Sequence, residues 1–423
     1  MGNRVPKTPP PALQAARVPA GVLEVLGRLQ DAGHEAYLVG GCVRDLVMGR
    51  VPSDWDVATQ ALPADVQRLF RKVIPTGVAH GTVTVLVPGG QVEVTTYRVE
   101  TGYSDGRRPD RVEFRRDLVE DLARRDFTIN AMAFDPKSGE LRDPFGGLED
   151  LARRTVRCVG NAVARFGEDG LRPLRAVRFA TVLDFELEAL TEAAIPGALP
   201  VFLKVAAERV RDEFLKLLLA LGVERGLQLL EGTGLLGAAF PELLGTVRGG
   251  AAARVGAVPS CVEVRLAALL LSTEAPEPVL ERLRLPTRTV DEVRALLASP
   301  LPESANAWND VEVRRWVARL GAERVPDALS LATAAGLPQA SQVRAHVEQV
   351  LASHPPLTVR ALSLGGAGVM EVLGVGPSPV VGEATRWLLE QVLETPERNT
   401  ESALKELLSA WAEARGLKPG GMG

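Results

Sequence analysis

Two aspartates one residue apart, Asp54 and Asp56 in the stretch DWDV, are the residues of this sequence best suited to chemistry. If Asp54–Val57 is a strand, alternate side chains share a face, and the two carboxylates stand about 7 Å apart along the backbone. Such a pair calls for a compensating charge. The natural partner of a hard, all-oxygen pair is Mg²⁺, which binds one or two carboxylates and completes its shell with substrate phosphates. Just upstream, Gly40 and Gly41 follow an apolar run and open a helix at Cys42, offering free N–H groups to an anion. Arg44, in the first turn of that helix, adds a forked donor for phosphate oxygens. An anion cradle followed by a metal-binding pair is the minimum equipment for nucleotidyl transfer. A Gly-rich turn and a solvated acidic edge would be the bland account of either motif alone.

Three further clusters extend this chemistry. In the strand Gln91 to Arg98, Val92, Val94 and Thr96 alternate with Glu93, Thr95 and Tyr97. Glu93 is therefore either a solvent-facing glutamate or a third carboxylate for the same cations. The segment Leu118–Ala133 reads as one helix carrying Arg124 and Arg125 for phosphates, with Asp126 and Asn130 at i and i+4. That pair could hydrogen-bond a ribose hydroxyl, or be an ordinary surface pair. In Arg165–Phe179, Asp169, Arg172 and Arg175 repeat every third residue along one helical edge. An acceptor beside a forked donor matches cytosine and adenine, each of which presents an amine next to a ring-nitrogen acceptor, whereas uracil and guanine present the reverse. The bland reading is a helical ion pair.

These residues need elements to hold them. An amphipathic helix over residues 19–33 ends at Gly33, and a helix begins at Pro63. A hairpin runs from His80 to Arg98 around Pro88-Gly89-Gly90, and a strand–turn–strand follows from Phe134 to Gly147. Residues 100–116 are polar, basic and punctuated by Gly and Pro, which suits a loop over a phosphate-rich substrate. From Ala162 onward the pattern is helical. A helix over Val205–Leu221 braces the Asp169–Arg175 region, and a linker is expected at 301–308. His is absent between His80 and His346, which disfavours a His/Asp metal phosphohydrolase domain there.

The chain has 423 residues, more than one hydrophobic core usually holds. Its net charge of -4 announces no global basic field, so nucleic-acid contact would rest on local patches. The three widely spaced cysteines argue against a disulfide framework or zinc site and fit a reducing cytoplasm. No apolar run approaches a membrane span, and the Pro-rich start reads as a disordered lead-in without a secretory signal.

Five stretches, GGCVRDLVMGRVPSDWDVAT, RRDFTINAMAFD, DPFGGLEDL, EDGLRPLRAVRFA and AERVRDEFLKLL, resemble in this order the motifs of the class II tRNA nucleotidyltransferases. These CCA-adding enzymes belong to the polymerase beta superfamily, with the bacterial poly(A) polymerases. The resemblance implies an α+β fold: a catalytic head with a mixed sheet over 20–160, then an all-helical neck (161–222), body (223–300) and tail (301–423), after a disordered 1–19. It implies that Asp54 and Asp56 hold two Mg²⁺, with Glu93 as third carboxylate. Gly40, Gly41 and Arg44 would bind the triphosphate, and Arg125, Asp126 and Asn130 the ribose and phosphate. Glu168, Asp169 and Arg172 would read the incoming base, with Arg175 as their neighbour. The implied partners are tRNA, through its acceptor stem and 3′ end, and CTP and ATP, with no DNA and no membrane. The implied reaction adds C, C and A without a nucleic-acid template. A-only or CC-only addition and poly(A) synthesis are the neighbouring activities. Trp55 stands where smaller residues are common in the family, and the tail stretch LSLGGAGVM lacks an Asp that often follows the glycine. The stretch IPTGVAHGTVTV replaces the basic run of the poly(A) polymerases, favouring the tRNA enzymes.

Overall fold

The computed structural model describes residues 10–14, 17–101, 111–114, 117–298, 308–337 and 340–417. Most of the Pro-rich lead-in, of the basic loop at 100–116 and of the linker at 301–308 lies outside the described residues. The chain forms two compact units, residues Met1–Ala252 with Glu274–Arg284, and Ala253–Thr273 with Leu285–Gly423. No described helix is long and apolar enough to cross a membrane.

The first unit carries the α+β part. Its strands are β1 (Ala36–Val39), β2 (Asp56–Thr59), β3 (Val73–Gly77), β4 (Thr82–Val87), β5 (Gly90–Thr96), β6 (Arg98–Thr101), β7 (Arg111–Phe114), β8 (Ala133–Asp135) and β9 (Glu140–Arg142). Seven of them make one sheet in the order β3-β4-β5-β2-β1-β8-β9, and β6 and β7 pair separately. Every neighbouring pair in the large sheet is antiparallel except β2 and β5. The hairpin turn at Gly89 (φ 84°) sets the β4–β5 register, burying Val83 and Val85 opposite Val94 and Val92. Helix α1 (Ala20–Asp31) buries Val22, Val25, Leu26 and Leu29, the face its sequence period predicts. Helices α2 (Gly41–Val47) and α3 (Pro63–Leu69) follow β1 and β2.

Two expected helices are broken. The segment 118–133 is helical only as α4 (Leu118–Ala123), capped by Asp117, whose carboxylate accepts from the Val119 N–H at 2.7 Å. Beyond it the chain turns, Phe127 bridges to Cys158, and a 3-10 turn over Thr128–Asn130 leads into β8. The cause is local: the Asp126 carboxylate accepts from the Phe127 N–H at 2.8 Å, which competes with helical bonding, and Phe127 is fully buried. After α5 (Gly147–Ala152), the Arg165–Phe179 stretch divides into α6 (Ala162–Glu168) and α7 (Arg172–Leu183). Gly170 lies in the break because a Cβ there would come within 2.5 Å of the Val201 carbonyl oxygen. Pro173 sits in the first turn of α7, where its missing N–H costs nothing. Helices α8 (Ile195–Phe202), α9 (Ala207–Leu218) and α10 (Val223–Gly232) complete this region.

The second unit is helical throughout its described residues. One of its cores gathers Leu362, Leu364, Val369, Leu388, Leu404, Leu408 and Trp411. Buried Arg314 donates to the Leu393 carbonyl at 2.6 Å, and Asn309 with Glu312 forms a capping box at the start of Asp310–Leu320.

Candidate active site

The parallel β2–β5 pairing sets Asp56 in register with Glu93, and the Glu93 N–H donates to the Trp55 carbonyl at 3.0 Å. The sequence left the direction of Glu93 open; a parallel neighbour places it beside the aspartates. Tyr97, expected on the Glu93 face, is instead fully buried beyond the end of β5. Asp54 is not in the strand. It lies in the bend that enters β2, exposed, and accepts from the Ser53 hydroxyl at 3.0 Å. Burial pushes the Asp56 carboxyl above the usual carboxylate range. Arg125 opposes that shift and Asp54 adds to it. The Glu93 carboxyl is likewise raised, by burial and then by Asp56, with Arg98 opposing and Asp54 adding a smaller push. Three acidic groups thus crowd one sheet edge, where burial and repulsion together exceed what Arg125 and Arg98 neutralise.

Gly40 ends β1 and turns into α2 with φ 76°, a conformation suited to glycine. A Cβ at Gly40 would lie 2.9 Å from Arg125 Nη1 and 3.5 Å from Asp56 Oδ2, so the bare backbone lets both groups approach. Gly41 faces the Arg44 guanidinium, 3.6 Å from where its Cβ would be. Arg44 pairs with Asp45 at 2.8 Å, donates to Asn130 Oδ1 at 2.9 Å and lies over the Phe179 ring at 5.2 Å. Cys42 is a packing residue: its buried thiol donates to the Val39 carbonyl and is pushed up to about 11 by burial.

Arg124 and Arg125 are both held by Asp121, a wholly buried carboxylate, at 2.9 and 3.3 Å. Asp121 also accepts from the Arg98 N–H at 3.3 Å, where β6 begins. Asp126 and Asn130 do contact each other, at 3.2 Å, although not on a helix. Asp126 Oδ2 takes both Nε (2.9 Å) and Nη2 (2.6 Å) of Arg175, so the fork of Arg175 is spent on it. Burial alone would raise the Asp126 carboxyl; Arg175, then Arg172 and Asn130, outweigh it and hold it at about 2. Arg175 continues to Glu213 at 3.6 Å, which Arg178 meets at 2.8 Å while stacking 3.5 Å from the Phe179 ring. The DPFGGLEDL stretch braces this region. Asp143 accepts from the N–H groups of Gly147 and Leu148, and Asp150 accepts from Thr128 and Arg157.

The third cluster sits at the α6–α7 junction rather than along one helix. Glu168 pairs with Arg165 and Arg172. Arg172 also donates to the carbonyls of Arg165 at 3.1 Å and Arg124 at 3.0 Å. Asp169 accepts from the Leu171 N–H at 3.0 Å and from Arg209 of α9. The side chains of Asp169 and Arg172 therefore flank one another without pairing, while the Arg172 N–H donates to the Asp169 carbonyl at 3.0 Å. From sequence, the helix over Val205–Leu221, which carries Arg209 and Glu213, has a bracing role and no more. Their i,i+4 spacing on α9 was the available sign that they share a face, here turned toward Asp169 and Arg178.

Among the described residues no three His, Cys, Asp or Glu side chains converge into a complete ligand set. The carboxylate edge nevertheless fits a hard cation that takes one or two protein carboxylates and fills its shell with phosphate oxygens. The donors are all oxygen, and the Asp54 charge adds to the raised state of both Asp56 and Glu93.

Comparison with known proteins agrees with this geometry. The poly A polymerase head domain family matches residues 36–157, which hold the sheet and the carboxylate edge. The family described as the probable RNA and SrmB-binding site of polymerase A matches residues 184–245. The CCA-adding enzyme of Lactobacillus delbrueckii subsp. bulgaricus is 38% identical over 395 residues, covering 92% of this chain and 96% of its own. That of Geobacillus stearothermophilus is 39% identical over 405 residues, covering 93% and 96%. The crystal structure of the Bacillus stearothermophilus CCA-adding enzyme in complex with CTP superposes with a TM-score of 0.78 at 34% identity, covering 96% of this chain and 99% of that one. With the head fold, the acidic strand edge and similarity along nearly the whole length in agreement, the chain belongs to the CCA-adding enzymes, the class II tRNA nucleotidyltransferases.

Proposed function

We propose that this protein adds C, C and A to the 3′ end of tRNA from CTP and ATP in the cytoplasm, without a nucleic-acid template. In this reading Asp54 and Asp56 hold Mg²⁺, and Glu93 is the third carboxylate of the same edge. The observation that carries it is the acidic edge of Asp54, Asp56 and Glu93, with Asp56 beside the Gly40 turn. Divalent cations bound there supply charge stabilisation to the phosphates and a lowered pKa to the attacking hydroxyl. The chain's own residues position the reactants. Gly40 and Gly41 leave room for the triphosphate, and Arg44, fixed by Asp45, Asn130 and Phe179, presents its remaining guanidinium edge to it. Arg125, anchored by Asp121, sits between the phosphate cradle and Asp56. Asp126 and Asn130, locked by Arg175 and Arg44, shape the ribose side. Transfer of a nucleotidyl group needs in-line positioning and charge stabilisation more than a protein base.

Base choice falls to the α6–α7 junction, where Asp169 and Arg172 face the incoming base and Glu168 supports Arg172. We assign head, neck, body and tail to 20–160, 161–222, 223–300 and 301–423, the last two holding the tRNA through backbone and shape. Addition assays on tRNA ending at the discriminator base, at C and at CC, each with a single nucleotide, test the reading. Incorporation of C, C and then A is expected. Addition of A alone, of C alone, or of long A runs would replace it with one of the neighbouring activities.

A further inference from the structure

We infer that Arg209 is a specificity-determining positioning residue, which sets the carboxylate of Asp169 at the angle from which it selects the incoming base. The inference rests on the reading of Asp169 and Arg172 as the base-reading pair. An ionised carboxylate has about four acceptor sites. On Asp169, Oδ1 takes the Leu171 N–H at 3.0 Å and Arg209 Nη1 at 3.2 Å, and Oδ2 takes Arg209 Nη2 at 2.8 Å. One acceptor site, on Oδ2, remains. That is the number needed to receive the exocyclic amine of cytosine or adenine.

Arg172 is fixed in the same manner. Its Nη1 is used by Glu168 and the Arg165 carbonyl, and one Nη2 hydrogen by the Arg124 carbonyl. Of the five N–H groups of a guanidinium, two are left for a ring-nitrogen acceptor. Both readers are thus set before a base arrives, one by backbone carbonyls and a carboxylate, the other by a forked arginine from α9. A pair fixed this way rejects uracil and guanine because neither reader can turn to suit them. Without the fork of Arg209, the single bond from Leu171 leaves Asp169 Oδ2 free to swing about its terminal torsion. The carboxylate could then accept from a different edge. A lysine in place of Arg209 keeps the charge and loses the fork.

The test is single-turnover addition by the full-length protein to tRNA lacking its terminal CCA, with CTP or UTP, and to tRNA ending in CC, with ATP or GTP. Arg209→Gln is expected to lower the CTP-over-UTP and ATP-over-GTP ratios of kcat/KM by about tenfold, with Arg209→Lys between it and the parent. Asp169→Ala is expected to lose the same selectivity, and Asp169→Ala combined with Arg209→Gln no more than Asp169→Ala alone. If the Arg209 variants slow all four nucleotides by one common factor while Asp169→Ala shifts the ratios, Arg209 is a structural brace and the inference falls alone. If Asp169→Ala leaves the ratios unchanged, the base-reading assignment falls and takes the inference with it. If Arg209→Gln does not fold, the Arg209→Lys ratios decide by the same criterion.

Discussion

Two groups of carboxylates in the first unit have the same chemistry and opposite electrostatics. At the β2–β5 edge, Asp56 is raised by burial and then by Asp54, and Glu93 by burial and then by Asp56 and Asp54. In the α4–α9 region, Asp121, Asp126 and Glu213 are more deeply buried, yet all are lowered, because arginines reach each of them. Burial alone therefore does not distinguish a working carboxylate from a bracing one. What distinguishes them is whether the counter-charge supplied by the protein outweighs the cost of burial. The paired set is complete within the fold and fixes geometry; the crowded set is left for ligands of opposite charge to complete.

Removing one member of each set should give opposite results. Asp56→Asn should reduce nucleotidyl transfer by at least about three orders of magnitude, read by single-turnover incorporation. The same variant should melt higher than the parent in EDTA, since it removes the cost of burying an ionised carboxylate, which Arg125 offsets only in part. The sign follows from the raised Asp56 carboxyl: ionised Asp56 weakens the fold as pH rises through its elevated pKa, and asparagine has no such transition. Added Mg²⁺ should stabilise the parent and leave Asp56→Asn nearly unchanged. An active Asp56→Asn, or one that melts lower in EDTA, would break the contrast.

Asp126→Ala should behave in the reverse sense, costing about 3 kcal/mol of unfolding free energy, the low end for a buried pair, because the part-buried Arg175 guanidinium loses its main partner but keeps Glu213. Urea unfolding measures this, and a loss below about 1 kcal/mol would show that Asp126 does not brace the fold. The smallest effect is on acid stability. With Asp126 held at about 2 against an ordinary 3.8, its contribution is complete above pH 3.8 and lost as pH falls toward 2. That is roughly 2 kcal/mol, and it should be missing from the acid limb of the stability profile of Asp126→Asn.

The reading from sequence succeeded where chemistry is encoded in short-range order. The Gly40-Gly41 turn, Arg44 in the helix that follows, and a strand holding Asp56 all depend on neighbours within a few residues, although the strand starts at Asp56 and not at Asp54 as expected. It failed where burial overrode local pattern. Residues 118–133 have helical spacing, but the burial of Phe127 and the Asp126–Phe127 bond break the helix. Asp169 and Arg172 have helical spacing too, yet the approach of Gly170 to the Val201 carbonyl divides the helix between them.

By itself, the sequence determined the inventory of this enzyme: which side chains are candidates for cations, phosphates and a base edge, and the order of the segments that carry them. Only the tertiary structure decided the pairings. Glu93 joins the aspartates because β5 lies parallel to β2, and Asp169 turns to Arg209 rather than Arg172 because α9 packs beside the α6–α7 junction. The reason is physical: a side chain's type and local spacing belong to its own segment, whereas its partner is chosen by whichever distant segment the core brings within hydrogen-bond reach.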